Sequence, residues 1–554
     1  MIIFCDFDGT VTNCDSLDYI IQSHYGKKYQ QQLENNIING ADHDTQLVNL
    51  LNDMGYSIDD ILCKLSEINE IIDVTFFNFY KLCTQANLEF YIISSGFKQI
   101  IHHYLPFIPH KNIIANDFNK FLKGHSINKL SIVEKLSVNK KYVYIGDGTS
   151  DFEVVSESKH YNRTIYVKKN SILNTLCITK KITHKVFNNF DDIKILNHLK
   201  LLSPGVVKLD NSVLDKLKFQ HSFMHRHKEF HDLYDDVSHK LKNISTNLPN
   251  DYTTLLVTGS GTTSMDEVIN AFVDDNILIL SNGMFGERWL SIASFYNKNI
   301  KLLHMYQKDW GCPFDLDEIE QSIILNKIKT VVVVHCDTSV GILNDIHSIG
   351  VMINGLKKND INFIVDAVST FGAIPINMCD SYIDILVTNP NKALASSMGV
   401  GIIIGRNVVL NSLKDNNNSF SLNLKRHYKY ALKKETCNTC SITCINALLH
   451  SLNISFSKKN SVSIYYDKYK LLFDMLYNNI KYPKLLNYNI SSPCIVTILH
   501  NKSREIIQYL FNNGFVVYEC KGYLLNKGFQ ISLYGYDGNK KNITNIIRLI
   551  NEFV

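Results

Sequence analysis

Met1-Ile2-Ile3-Phe4-Cys5-Asp6-Phe7-Asp8-Gly9-Thr10 opens the chain: an apolar run, two carboxylates flanking one phenylalanine, then a Gly-Thr turn. Alternate residues of an extended strand point the same way, so Asp6 and Asp8 can share one site at the strand's carboxyl end. There one carboxylate can attack phosphorus and the other can move the leaving-group proton, with a divalent cation offsetting the crowded negative charge. A second, unrelated chemical signature lies far downstream around Lys392. The sequence reads as two catalytic units in one polypeptide.

Length agrees with that reading, because 554 residues exceed what one hydrophobic core organises. With 45% hydrophobic and 20% charged residues, the composition is ordinary for a soluble globular protein. The formal net charge of +4 is small and the basic residues are scattered, which argues against nucleic acid or a membrane surface as a partner and leaves small-molecule substrates. Thirteen cysteines form an odd set, and the first residues enter a strand with no basic leader before them. Reduced thiols and a cytoplasmic location are expected. No apolar run approaches the roughly 18 residues of a membrane span.

Beyond the first strand, residues 15–85 carry apolar positions at three- and four-residue spacing, as in Ile58-Asp59-Asp60-Ile61-Leu62-Cys63-Lys64-Leu65, and read as helical. Strands are expected at Leu88–Ser94 and Lys141–Ile145, the latter running into Gly146-Asp147-Gly148-Thr149-Ser150-Asp151. Strands that alternate with helices and end in polar residues indicate a parallel sheet with a site along its carboxyl edge. A boundary is expected near residue 198, giving domains at 1–197 and 198–554. In the second, Thr254–Thr258, Ile277–Leu280, Thr330–Val334, Ile361–Val365 and Ile383–Val387 read as strands. A smaller C-terminal α/β subdomain is expected over about 455–554.

In the first domain four pieces recur in order. Asp6 and Asp8 supply nucleophile and acid/base, Ser94 can donate to a transferring phosphoryl oxygen, and Lys129 can neutralise charge on the aspartyl-phosphate. Asp147 and Asp151, with Asp6 and Asp8, offer hard oxygen ligands suited to Mg²⁺. Together these resemble the haloacid-dehalogenase superfamily of phosphatases, most closely its phosphoserine phosphatase group. The resemblance implies a Rossmann-like domain, a helical cap over about residues 14–85, and hydrolysis of phosphate monoesters. The carbon–phosphorus hydrolase of that superfamily lacks the second Asp of the first motif. Asp8 is present here, as cleavage of a P–O ester requires an acid for the leaving alkoxide.

In the second domain, Val365-Asp366-Ala367 and Thr388-Asn389-Pro390-Asn391-Lys392 provide a carboxylate to hold a pyridine nitrogen protonated and a lysine to bind an aldehyde, the minimum apparatus of a pyridoxal 5′-phosphate enzyme. Upstream, Thr258-Gly259-Ser260-Gly261-Thr262 passes from strand to helix, where backbone amides can cradle a phosphate. These residues resemble the class V aminotransferases, and among them the 2-aminoethylphosphonate–pyruvate transaminases, over roughly 201–540. Ser203-Pro204-Gly205, Asn282-Gly283-Met284-Phe285-Gly286-Glu287-Arg288 and His335-Cys336-Asp337-Thr338-Ser339 belong to the match. The resemblance implies a fold-type I transferase in which Ser260, Gly261 and Thr262 hold the cofactor phosphate. Phe285 stacks on the ring, Thr338 or Ser339 meets the ring hydroxyl, Asp366 pairs with the ring nitrogen, and Lys392 binds the cofactor covalently. Thr439 falls where relatives reach the phosphate of the neighbouring subunit, which implies a homodimer.

One departure stands out. Relatives carry Phe-Arg-Ile near the C-terminus, where the Arg clamps a substrate carboxylate; here the segment is Gly528-Phe529-Gln530-Ile531. Either another arginine takes the role, Arg226 being the first candidate, or one substrate lacks a carboxylate. Cys437, Cys440 and Cys444 have zinc-like spacing, but they fall in a loop entering a helix and lack a fourth ligand nearby. The expected activity is bifunctional: phosphomonoester hydrolysis joined to transamination of a small phosphorylated or phosphonylated amine or aldehyde. The alternatives are a 2-aminoethylphosphonate–pyruvate transaminase with an accessory phosphatase, a pyridoxal phosphate lyase, or a non-catalytic dimerisation module in the C-terminal half.

Overall fold

The computed structural model describes residues 1–553 except 27–42, 69, 87, 139, 158–162, 194–198, 219–220, 297–301, 357–359, 416–417 and 458–460. The expected boundary near 198 and part of the expected cap therefore lie outside the described residues. The chain forms two compact units, Met1–Leu199 with Phe511–Gly514, and Lys200–Leu510 with Phe515–Val554.

In the first unit, β1 (Ile2–Cys5), β2 (Glu89–Phe97), β3 (Ile113–Asn116), β4 (Tyr142–Gly146), β5 (Arg163–Lys168) and β6 (Lys185–Phe187) make a sheet of order β3-β2-β1-β4-β5-β6. Every pair is parallel. Ile2, Phe4, Tyr142 and Tyr144 are fully buried in its core, as expected of parallel strands covered on both faces. Because β1 lies between β2 and β4, the loops after these strands converge at one edge, the switch point where open α/β sheets bind ligands. Between β1 and β2 run the helices Ser16–Tyr25, His43–Met54, Ile58–Leu65 and Val74–Gln85. Asp15 caps the first of these, accepting from the N–H groups of Leu17 and Asp18.

The second unit begins with β7 (Lys200–Leu201) and continues with β8 (Tyr252–Gly259), β9 (Asn276–Ser281), β10 (Leu302–Gln307) and β11 (Thr330–Val334). A short pair, β12 (Cys336–Asp337) and β13 (Ile342–Leu343), precedes β14 (Asn362–Asp366), β15 (Ile385–Thr388) and β16 (Gly399–Arg406). The main sheet has order β10-β9-β11-β14-β15-β16-β8, parallel from β10 to β15 and antiparallel at β16 and β8. The C-terminal part adds β17 (Ile495–Leu499), β18 (Phe515–Val516), β19 (Tyr518–Glu519) and β20 (Gly528–Ser532), of which β17-β20-β19 form an antiparallel sheet. β18 pairs with β7, which ties the first strand of this unit to its far end. Among the described residues no helix is long and apolar enough to cross a membrane.

Strand β14 ends in Asp366 and the residues following β15 lead to Lys392, and helix packing fixes their position. In helix Ile346–Gly355, a Cβ on Gly350 would lie 1.9 Å from the carbonyl oxygen of Ser381, whereas one on Gly355 would meet nothing within 4 Å. Gly350→Ala is accordingly expected to cost about 1–3 kcal/mol or more. Gly355→Ala, in the same helix, should be neutral or stabilising by up to about 1 kcal/mol. Urea unfolding of both variants checks the pair, and equal midpoints would show that the helix backs away freely.

Candidate functional site

At the carboxyl edge of the first sheet, Asp6, Asp147 and Asp151 present oxygen atoms all within 4.8 Å of one another. Lys129 Nζ lies 2.9 Å from Asp6 Oδ1 and 2.7 Å from Asp151 Oδ1, and donates to Ser150 Oγ at 3.0 Å. All of these except Asp147 and Ser150 are buried. Burial, followed by the neighbouring Asp151, raises the Asp6 carboxyl well above the ordinary range against the pull of Lys129. Burial and then Asp151 raise Asp147 to about 6. The Asp151 and Asp6 carboxylates outweigh burial at Lys129 and hold its ammonium protonated.

Asp8 and Asp151 stand differently toward this group, of which Asp151 is a member. Asp8 lies outside the carboxylate cluster: its Oδ1 accepts from the Ser16 N–H at 3.1 Å and its Oδ2 faces Ser94 Oγ at 3.5 Å. Its carboxylate is thus aimed at Ser94 rather than at a metal position. Asp151, in turn, is fully engaged. Its Oδ2 accepts from the N–H groups of Asp147 and Gly148, both at 3.0 Å, while Oδ1 takes Tyr144 Oη at 2.6 Å and Lys129. It holds the Asp147 loop and Lys129 in place, which leaves Asp6 and Asp147 as the freer oxygen donors. The sequence also gave no warning of Lys168, whose Nζ donates to the carbonyls of Gly9 at 2.7 Å, Thr12 at 3.3 Å and Thr10 at 3.4 Å, pinning the turn after Asp8.

In the second unit, one cavity of about 340 Å³ gathers Ser260, Gly261, Thr262, Phe285, Thr338, Ser339, Asp366, Lys392 and Gln530. Ser260 caps helix Gly261–Ala271 by accepting from the Thr263 N–H, while the first helical N–H groups have no acceptor within the helix. Lys392 Nζ donates to Ser369 Oγ at 2.9 Å and lies 5.5 Å from the Phe285 ring centroid. Burial lowers its pKa, although Cys336 and Asp366 pull the other way. Asp366 accepts from Trp289 Nε1 and from the Val368 N–H, both at 2.9 Å, and burial raises its carboxyl above the usual range.

Asp337 organises the opposite wall. Its Oδ2 accepts from the N–H groups of Phe285 at 2.8 Å and Gly286 at 3.2 Å, and its Oδ1 accepts from Ser339 Oγ at 2.6 Å. Ser339 Oγ also accepts from the Met284 N–H at 3.0 Å, so its proton is committed and one lone pair is left. Asn391 Nδ2 donates to the carbonyl of Gly205, bringing the Ser203-Pro204-Gly205 turn beside Lys392. Arg226 does not line the cavity. Its guanidinium pairs with Glu435 at 3.4 Å and covers the Tyr430 ring. The cavity's cations are Arg288, Lys392 and Lys521. Thr439 is exposed outside the cavity, its carbonyl accepting from Thr258 Oγ1. Cys437, Cys440 and Cys444 form no ligand cluster among the described residues.

The sequence model of the family described as Aminotransferase class-V matches residues 208–491, more than half of the chain, and the protein belongs to that family. It is 29% identical over 364 residues to a bifunctional phosphonoacetaldehyde hydrolase/aminoethylphosphonate transaminase of Clostridioides difficile, an alignment covering 63% of this chain and 56% of that protein. The chain thus spans little more than half of that relative. It is also 29% identical over 339 residues to a 2-aminoethylphosphonate–pyruvate transaminase of Bacillus cereus, covering 59% of this chain and 90% of the relative. Among solved structures, an alanine–glyoxylate aminotransferase from a Nostoc species superposes with a TM-score of 0.58 at 20% identity, over 64% of this chain and 94% of its own. A ureidoglycine–glyoxylate aminotransferase from Bacillus subtilis gives 0.57 at 20% identity, over 64% and 92%. These likenesses establish the fold of the second unit as that of the fold-type I pyridoxal phosphate aminotransferases.

The second cavity suits the family's cofactor. It offers a helix N-terminus for the phosphate, a buried carboxylate that a pyridinium would stabilise, and a buried lysine with no carboxylate in contact among the described residues. Asn389 Oδ1, on the cavity wall, is buried without a partner and awaits a donor. Trp289→Phe removes the indole N–H from Asp366 and leaves a buried carboxylate short of a donor. The expected cost is about 1–3 kcal/mol, with weaker retention of pyridoxal phosphate through gel filtration, read by absorbance. Full cofactor retention in the variant would show that Trp289 only fills space.

Proposed function

We propose that the protein is a bifunctional enzyme. Its second unit transfers an amino group to or from a small phosphonylated or phosphorylated amine, and its first unit hydrolyses a phosphate monoester. The observation that carries the transferase reading is the meeting of Lys392, Asp366 and Phe285 in one cavity beside a capped helix N-terminus. Pyridoxal phosphate, when bound, supplies the electron sink that stabilises negative charge at the substrate carbon. The remaining work belongs to the chain. Burial favours the neutral amine of Lys392, which makes Nζ able to form a bond and to carry a proton to and from the substrate carbon. Ser369 Oγ orients that amine. Asp366, held by Trp289 and Val368, keeps a negative charge where the ring nitrogen would lie.

For the first unit, the support is the set of Asp6, Asp147 and Asp151 around Lys129, with Asp8 facing Ser94. In this reading Asp6 attacks phosphorus as the P–O ester bond breaks and carries the phosphoryl group as an acyl phosphate, from which water then releases phosphate and restores the Asp6 carboxylate. Asp8 delivers a proton to the departing alkoxide, and Lys129 offsets the charge. Asp6 and Asp147 would hold Mg²⁺, whose charge would relieve the crowded carboxylates. A homodimer through the second unit belongs to the same proposal, with Thr439 reaching the neighbouring site.

The two activities should separate by mutation. Asp6→Asn is expected to lower Mg²⁺-dependent phosphate release from phosphoethanolamine by about three orders of magnitude or more and to leave transamination of 2-aminoethylphosphonate intact. Lys392→Ala should do the reverse. Phosphate and amino-group assays run side by side decide it. Persistence of phosphate release in Asp6→Asn, or of transamination in Lys392→Ala, would remove the corresponding half of the proposal. Light scattering after size exclusion should give twice the chain mass; a monomer with full transaminase activity would end the dimer reading.

A further inference from the structure

Gln530 on β20 is buried, with 2% of its surface exposed, yet lines the transferase cavity. Its Nε2 lies 2.8 Å from the carbonyl oxygen of Thr338, 3.1 Å from that of Ser339 and 3.0 Å from Thr497 Oγ1, three acceptors that share its two protons. Carbonyls only accept, and the Thr497 hydroxyl has already given its proton to the carbonyl of Val340 at 2.7 Å. All three neighbours are therefore acceptors, so the amide has one orientation. Its NH₂ faces the chain, and Oε1 is the atom left to meet whatever enters the cavity. A carboxylate brought there would face a lone pair with no proton between them, whereas a hydroxyl, an ammonium or a C–H would not be repelled.

Positive charge lies elsewhere on the wall. The Arg288 guanidinium is 4.8 Å from the Phe285 ring centroid and has no carboxylate partner among the described residues. The adjacent Glu287 is engaged by Trp310 Nε1 at 2.7 Å. Lys521 lines the same cavity from the C-terminal part and is exposed. The lining thus carries an acceptor at Gln530 and free cations at Arg288 and Lys521.

We propose that Gln530 determines specificity by rejecting carboxylates. The cavity then takes primary amines whose single oxyanion, a phosphonate or a phosphate ester, lies remote from the reacting carbon and is held by Arg288 and Lys521. This rests on the transferase reading above and deepens it. It removes α-amino acids as amino donors, and with them α-keto acids such as pyruvate as acceptors, in favour of aldehydes or ketones without a carboxylate.

Two measurements on the pyridoxal-phosphate-loaded protein test this. In calorimetric titration with the amine-free probes ethylphosphonate and propionate, the wild type should bind ethylphosphonate at least tenfold more tightly. Gln530→Arg should raise propionate affinity at least tenfold, whereas Arg288→Gln should weaken ethylphosphonate and leave propionate unchanged. Should Gln530→Arg fail to fold, the wild-type ratio and the Arg288→Gln result still decide. Equal binding of the two probes by the wild type, or no loss with Arg288→Gln, overturns the proposal. In the second measurement, 2-aminoethylphosphonate should change the cofactor absorbance at concentrations where alanine does not. A response to alanine at equal concentration overturns the Gln530 assignment and leaves the transferase reading intact. Silence toward both amines brings down the transferase reading itself, and this proposal with it.

Discussion

Burying a lysine amine without a carboxylate in contact is the constraint around which the second unit is built. Removing an ammonium from water costs several kcal/mol even after relaxation, and burial accordingly lowers the pKa of Lys392. The nearest available counter-charge, Asp366, is kept occupied by the Trp289 indole and the Val368 amide. A direct ion pair would satisfy both groups and disable both. The sheet core of Val, Ile and Leu on β9, β11, β14 and β15 supplies the stability that lets this tension persist.

The first unit resolves the same problem in the opposite direction. Lys129 is as buried as Lys392, but Asp6 and Asp151 contact it directly and fix its charge. One buried lysine is thereby a permanent cation suited to neutralising phosphoryl oxygens, and the other an amine suited to bond formation. Residue type and burial are the same in the two cases. Direct contact with carboxylates, recorded for Lys129 and for Lys392 not among the described residues, separates the two.

Much of this was legible in the sequence where the signal is local. Thr330–Val334 is a run of β-branched residues and forms the expected strand to the residue. Asp366 and Lys392 stand at strand ends, where spacing reveals them. Strand β16 escaped notice because its glycines break the pattern. At Gly401 a Cβ would strike Ser264 Oγ at 2.1 Å, so the helix that begins at Gly261 requires a bare strand beneath it. Trp289 and Asp337 were invisible for another reason: their partners Asp366 and Phe285 lie 77 and 52 residues away, and no spacing rule links them. Arg226 shows the converse, a suitable charge that the fold assigns to Glu435.

The pairing of β7 with β18 bears on how the chain matures during synthesis. Lys200 and Leu201 lie against Phe515 and Val516, and the Leu201 N–H is held by Asp537. As the ribosome works, β1 to β6 have all emerged before residue 200 does. The strand that opens the second unit must then wait for the far end of the chain. At about 5–20 residues per second that wait is roughly half a minute. Throughout it β7 lacks its partner strand, and such long-range closure is the slow, aggregation-exposed step of folding. Expression at low temperature or with abundant chaperones should therefore favour the closure of the second unit.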